Sequence, residues 1–328
     1  MLDFKKLKIL FLLLFVNRFF AQEILPIEIP LSGEASERNL EMSGLSWYRD
    51  YLILMPQYVN KSSPAFYFLT RTTLNKWLNG NRNRPLTPQR IDIDMPDYGD
   101  LIEGYQGFEA ICFSGKDVYL IVESKSNDKM KSYIVKGEID IKNKSLEIGK
   151  DVLKEIPLPF NMKNMGYESI LKYKRSLMIL FEANGVNVNS NPKAYFYNFS
   201  LKRKKSFSFP NIEYRITDAT EVDSNGKFWA LNFFWPGEKK LLKPYSNTLL
   251  NKMSEGSTHQ QFDHVERLIE FKIEGNNVIR TNSAPIYLEL NKNSRNWEGL
   301  VRINKNGFIL IVDEYPRTIL AYLGKQKK

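Results

Sequence analysis

The chain has 328 residues, 47 Lys and Arg against 37 Asp and Glu, and a formal net charge of +10. Its single cysteine excludes an intramolecular disulfide, and its two histidines exclude a metal centre built mainly from imidazoles. The basic excess favours anionic partners in general, but no recognisable nucleic-acid-binding motif accompanies it, so nucleic acid is not an expected partner.

Lys5, Lys6 and Lys8 precede the unbroken apolar run 9–16, and Ala21 supplies a small residue where a leader peptidase can cut. That order predicts a secretory leader over 1–22, with an uncleaved anchor as the alternative, and one domain over 23–328. The run falls far short of the ~20 residues of a spanning helix, and no later stretch reaches that length, so no transmembrane segment is expected. Export without disulfides suits a bacterial periplasm or medium. No cysteine lies near the cleavage region to carry a lipid anchor.

Five units follow, each an apolar strand, a polar turn and a second apolar strand. The hairpins are 42–47 with 51–55, 107–112 with 118–122, 166–171 with 177–181, 219–222 with 228–231, and 296–301 with 308–312. Turns such as Ser114-Gly115-Lys116-Asp117, Asp223-Ser224-Asn225-Gly226 and Asn304-Lys305-Asn306-Gly307 are strong hairpin chemistry. Third strands are expected at 65–69, 132–139, 194–201, 265–273 and 319–323, and fourth strands at 90–95, 154–159, 206–210 and 285–290. The last unit has no fourth strand of its own, and 24–30 has the character to supply it, which would close the ring.

Four short strands repeated radially predict an all-β fold, a β-propeller of five four-stranded blades. The alternative of six blades places a degenerate unit in 235–262, otherwise a loop insertion. A two-sheet sandwich also supplies many short strands, but does not repeat an acid before each hairpin. Cys112 sits in an apolar strand and reads as a core residue.

In a propeller the first strand of each blade lines the central channel, so equivalent positions form a ring. The ring expected here is Ser43, Glu109, Glu168, Glu221 and Glu298. Carboxylates crowded in one tunnel repel each other and protonate unless a cation sits among them. An all-oxygen set suits a hard ion, Ca²⁺ before Mg²⁺. A second polar set falls at the ends of the second strands: Gln57, Glu123, Glu182, Asn232 and Asp313, with Glu314 beside it. A hairpin returns its second strand to where the first began, so this set belongs on the same face. The competing reading has the glutamates bonding backbone amides between blades.

Elsewhere the chemistry is sparser. His259 and His264 fall in the insertion before the third strand of unit four, and Trp235 ends a dense aromatic run. Arg82, Arg84 and Arg90 lie in an Asn-rich loop that reads as solvated. No Gly-x-Ser-x-Gly or Ser-His-Asp spacing supports a serine hydrolase.

The segments Phe-Glu-Ala-Ile at 108, Tyr-Glu-Ser-Ile at 167 and Trp-Glu-Gly-Leu at 297 each precede a turn and an apolar strand ending in an acid, as in Leu-Ile-Val-Glu at 120. In this the chain resembles the exported bacterial phytase-like or esterase-like propellers. The five-unit count, with one serine among glutamates, is also similar to the calcium-activated apyrases. The resemblance implies a calcium-associated propeller with phosphoesterase activity. Ser43, Glu109, Glu168, Glu221 and Glu298 would then hold the ion, with Glu123, Glu182 or Asp313 as the base and a small anionic substrate. A propeller whose ion only locks the blades, without catalysis, is the other reading, because the fold hosts both.

Overall fold

The structure is a computed structural model, and it describes residues 23–324 apart from 81, 150–152, 246–255, 306, 314 and 316. The expected leader 1–22 and Glu314 lie outside the described residues.

The chain enters on β1 (Ile27–Ile29) and then winds through five blades in order. Blade one is β2 (Met42–Tyr48), β3 (Tyr51–Pro56), β4 (Ala65–Thr70) and β5 (Gln89–Asp94). Blade two is β6 (Tyr105–Ser114), β7 (Asp117–Ser126) and β8 (Lys129–Asp140), with two short strands, β9 (Ser145–Ile148) and β10 (Lys154–Ile156), sharing its outer edge. Blade three is β11 (Tyr167–Tyr173), β12 (Ser176–Phe181), β13 (Lys193–Tyr197) and β14 (Arg203–Ser208). Blade four is β15 (Arg215–Ala219), β16 (Lys227–Phe234) and β17 (Val265–Glu274), its edge again divided between β18 (Asn277–Arg280) and β19 (Ile286–Tyr287). Blade five is β20 (Trp297–Asn304), β21 (Gly307–Val312) and β22 (Ile319–Gly324).

The fourth strand of blade five is β1, antiparallel to β22 with Ile27 opposite Tyr322 and Ile29 opposite Leu320. Strands from both ends of the described chain therefore close the ring, and β1 becomes the short outer edge of the last blade. The innermost strands pack in a cycle, β2 on β6, β6 on β11, β11 on β15, β15 on β20 and β20 on β2. Five apolar cores follow, one in each seam between neighbouring blades, where a sandwich would have a single core. Cys112 lies in the seam between blades two and three, and burial pushes its thiol up to about 12.

Two outer edges differ from expectation. The fourth strands expected at 154–159 and 285–290 are only the second halves of divided edges. In each case the first half continues directly from the third strand through a tight turn. Those first halves also pair in parallel with the preceding blade, β5 with β9 and β14 with β18, which couples blades one to two and three to four at the rim. The insertion at 235–262 holds no strand among the described residues, so the blade count is five.

Close approach at the centre demands small side chains. A Cβ on Gly299 would lie 2.6 Å from Ile311 Cγ2 and 3.0 Å from the backbone nitrogen of Leu45, across the seam where blade five meets blade one. Gly299→Ala should therefore cost about 1–3 kcal/mol by overpacking, read as a lowered denaturant midpoint at unchanged slope. A midpoint equal to wild type would show that this seam is looser than described.

Candidate active site at one mouth of the channel

Every innermost strand carries a β-bulge at the same place. Its residue is skipped by the partner strand: Ser43, Glu109, Glu168, Thr217 and Glu298. A bulge re-aims a side chain out of the pleat, so these five positions are equivalent by geometry. Four of them are the expected ring residues. The fifth is Thr217. Glu221 lies beyond the end of β15, near the hairpin turn of blade four, on the opposite mouth of the channel, where Arg71, Lys172 and Arg302 act on it.

The two hydroxyls play a different part from the glutamates. Ser43 Oγ donates to the carbonyl of Phe108 at 2.5 Å, and Thr217 Oγ1 to that of Trp297 at 2.6 Å. Each ties its blade to the residue just before the glutamate of the next. Glu109 accepts from Gln57 Nε2 at 2.9 Å and Glu298 from Asn296 Nδ2 at 2.6 Å, both side-chain donors.

The strand-end set joins this ring on the same face. Glu123, Glu168 and Glu182 bring carboxylate oxygens within 4.8 Å of one another. Gly166 makes the approach possible: its N–H donates to Glu182 Oε1 at 2.7 Å, and a Cβ there would sit 2.0 Å from Glu123 Oε1. Asp313 accepts from Asn296 at 2.8 Å, beside Glu298. Asn232 is out of step with this set, since Arg215 faces Phe233 and not Asn232. Its amide donates to the carbonyls of Glu213 and Arg215 at 2.9 and 3.0 Å, and so holds the start of β15 in place.

Arg215 is the residue that sequence reasoning missed. It precedes the blade-four bulge by two positions, where blade three has Gly166. Its guanidinium lies 2.5 Å from Glu182, 3.5 Å from Glu238 and 3.9 Å from Glu168. Burial opposes its charge, but Glu182, Glu238 and Glu168 hold its pKa well above the ordinary value.

One guanidinium cannot neutralise so many acids. Burial, then the Glu182 charge, pushes Glu109 up to about 8. Burial and the neighbouring carboxylates raise Glu123 and Glu168 well above the usual range, and burial with Asp313 does the same to Glu298. Glu123 Oε1 is buried without any hydrogen-bond partner. By themselves these acids are pushed toward the protonated form; with a hard cation among them they can ionise. The residues fit such an ion: all donors are oxygens, three converge, and one has no partner within the protein.

Above the cluster opens a cleft of about 910 Å³. Arg215, Glu238 and Asn296 line it together with Trp235, Phe262, His264, Lys292 and Tyr315. His259 lies apart, its Nδ1 2.8 Å from Glu23.

Fold and site together define a five-bladed propeller with a carboxylate-rich centre under an open cleft. No family model matches the chain, and no curated protein matches it. Neither comparison supports the phytase-like or apyrase resemblance. Solved structures of similar fold include a glycosyl hydrolase from Bacteroides ovatus, 12% identical over 94% of this chain and 91% of that one, with a TM-score of 0.47. The α-L-arabinofuranosidase catalytic domain of Coprinopsis cinerea is 8% identical over 94% and 98%, with a TM-score of 0.46. The glutaminyl cyclase of Myxococcus xanthus is 7% identical over 93% and 100%, with a TM-score of 0.44. At such identities no chemistry passes from them to this chain, and its architecture rests on the strand pairing above. Among the described residues no helix is long and apolar enough to cross a membrane.

Proposed function

We propose that this protein is a calcium-dependent hydrolase of phosphoesterase type, exported to the periplasm or medium behind the leader at 1–22. One observation carries the reading: Glu123, Glu168 and Glu182 converge within 4.8 Å, with Glu123 Oε1 buried and unpartnered, beneath a cleft of about 910 Å³. Glu123, Glu168 and Glu182 would hold the ion, with Glu109 and Glu298 around them. When bound, calcium supplies Lewis acidity toward a phosphoryl oxygen. The chain's own residues do the rest. Arg215 places positive charge where an anionic ester would sit, and Lys292 adds a second cation at the rim. Asp313, held by Asn296, is the acid available to take a proton from water.

Glu168→Gln should abolish both the calcium-dependent rise in melting temperature and the turnover of phosphate esters, with a loss of about 10²-fold or more in kcat. Undiminished turnover would sink the assignment. Calcium stabilisation with no hydrolysis of any phosphomonoester, nucleotide or acyl ester would make the ion a blade lock and the protein a binding propeller.

A further inference from the structure

The cleft has a feature that ester hydrolysis alone does not require. Trp235 is 52% exposed, with its indole against Gly237, where a Cβ would fall 2.2 Å from Trp235 Cη2. Large aromatic side chains ordinarily leave water on folding. One left half open beside a polar cleft offers a ligand an apolar face.

The rest of the cleft wall is rich in polar side chains: Glu238, Gln261, Asp263, Lys292, Asn293 and Ser294 line it. Such a wall offers a ligand several hydrogen bonds beside one apolar face. The ligand must then present an apolar face to an indole and hydroxyls at its edge. It must also fit a cleft of about 910 Å³. A pyranose or furanose ring has that shape: axial C–H groups on one face, hydroxyls around the rim.

We propose that the cleft binds a saccharide ring stacked on Trp235, with the polar side chains of the cleft wall, Asp263, Asn293 and Lys292 among them, meeting its hydroxyls. The hydrolase therefore acts on a sugar-bearing ester. The chemistry rests on the reading above; the binding does not.

The test separates the two. Trp235 is the exposed tryptophan, so its fluorescence reports the cleft. The probes are the methyl glycosides of glucose, mannose, galactose, xylose and arabinose, with the matching disaccharides, titrated into Glu168→Gln and wild-type protein. At least one should give a saturable spectral shift in both. For binding read by calorimetry, Trp235→Ala should weaken it tenfold or more, and Trp235→Tyr, which keeps a ring, should lose less. Equal affinity in the alanine and wild-type proteins would overturn the proposal, as would the absence of saturation with every probe. A shift that follows protein concentration instead of sugar would also overturn it, making Trp235 a contact between copies. Sugar binding without phosphate-ester turnover would sink only the hydrolase reading; turnover with inert sugars would sink only this one.

Discussion

Arg215→Met should destabilise the folded protein by about 3–5 kcal/mol near neutral pH, because truncating one member of a buried ion pair strands the other. The stranded group is the Glu182 carboxylate, fully buried and bonded to the guanidinium at 2.5 Å, with Glu168 and Glu238 also within 4.0 Å of it. Methionine has similar bulk, so little of the loss would come from packing. Arg215→Lys should lie between the two, since an ammonium keeps the charge but not the forked geometry. Urea unfolding of the three proteins at neutral pH decides the matter. A lysine variant as unstable as the methionine one would mean that Arg215 matters for its shape and not its charge.

Most of the fold was legible because hairpin chemistry is local. Apolar runs on either side of polar turns located the inner hairpins of four blades, with Asn-Gly or Gly-Lys at three of the five turns. In blade four the inner strand lies at Arg215–Ala219 and not at the expected 219–222. The closing strand followed from the missing fourth strand of the last unit. The outer edges were less legible because they are set by tertiary pairing: β9 and β18 are strands of four residues, two of them apolar in each, too short to stand out by pattern. Glu221 was misplaced for an instructive reason. In blade four the bulge carries Thr217, so the marker acid is absent, and a glutamate four residues downstream stood in for it. Spacing would have resolved it. Six residues separate the bulge from the turn in all five blades: Ser43 to Arg49, Glu109 to Gly115, Glu168 to Lys174, Thr217 to Asp223 and Glu298 to Asn304. Glu221 is two residues from that turn. Arg215 had no repeat to reveal it, because the corresponding positions hold Gly107, Gly166 and Asn296. A single-blade exception is invisible to an argument from repetition, and here the exception supplies the guanidinium at the centre of the site.

Without divalent cations, the melting temperature should fall as pH rises from about 4.5 to about 8, the reverse of what paired carboxylates usually give. Glu109 has its ordinary value of 4.5 in the unfolded chain and about 8 in the folded one, mainly through burial and then Glu182. Glu123, Glu168 and Glu298 move the same way, each chiefly by burial. Between those limits the folded state binds more protons than the unfolded state, so the stability these groups contribute is complete below the lower value and lost as pH passes the upper. Calcium should invert the trend. Its ligands must be ionised, so its binding releases protons and tightens with rising pH. At a free concentration a hundred times its Kd it adds about 2.7 kcal/mol, and most of the alkaline loss should disappear. Parallel melts in chelator and in calcium across this range are the measurement. Curves offset equally at every pH would place the ion away from these carboxyls. Glu221→Gln is the internal control: with that residue on the far mouth, beside Arg71, Lys172 and Arg302, the calcium response should be that of wild type, whereas Glu168→Gln should erase it.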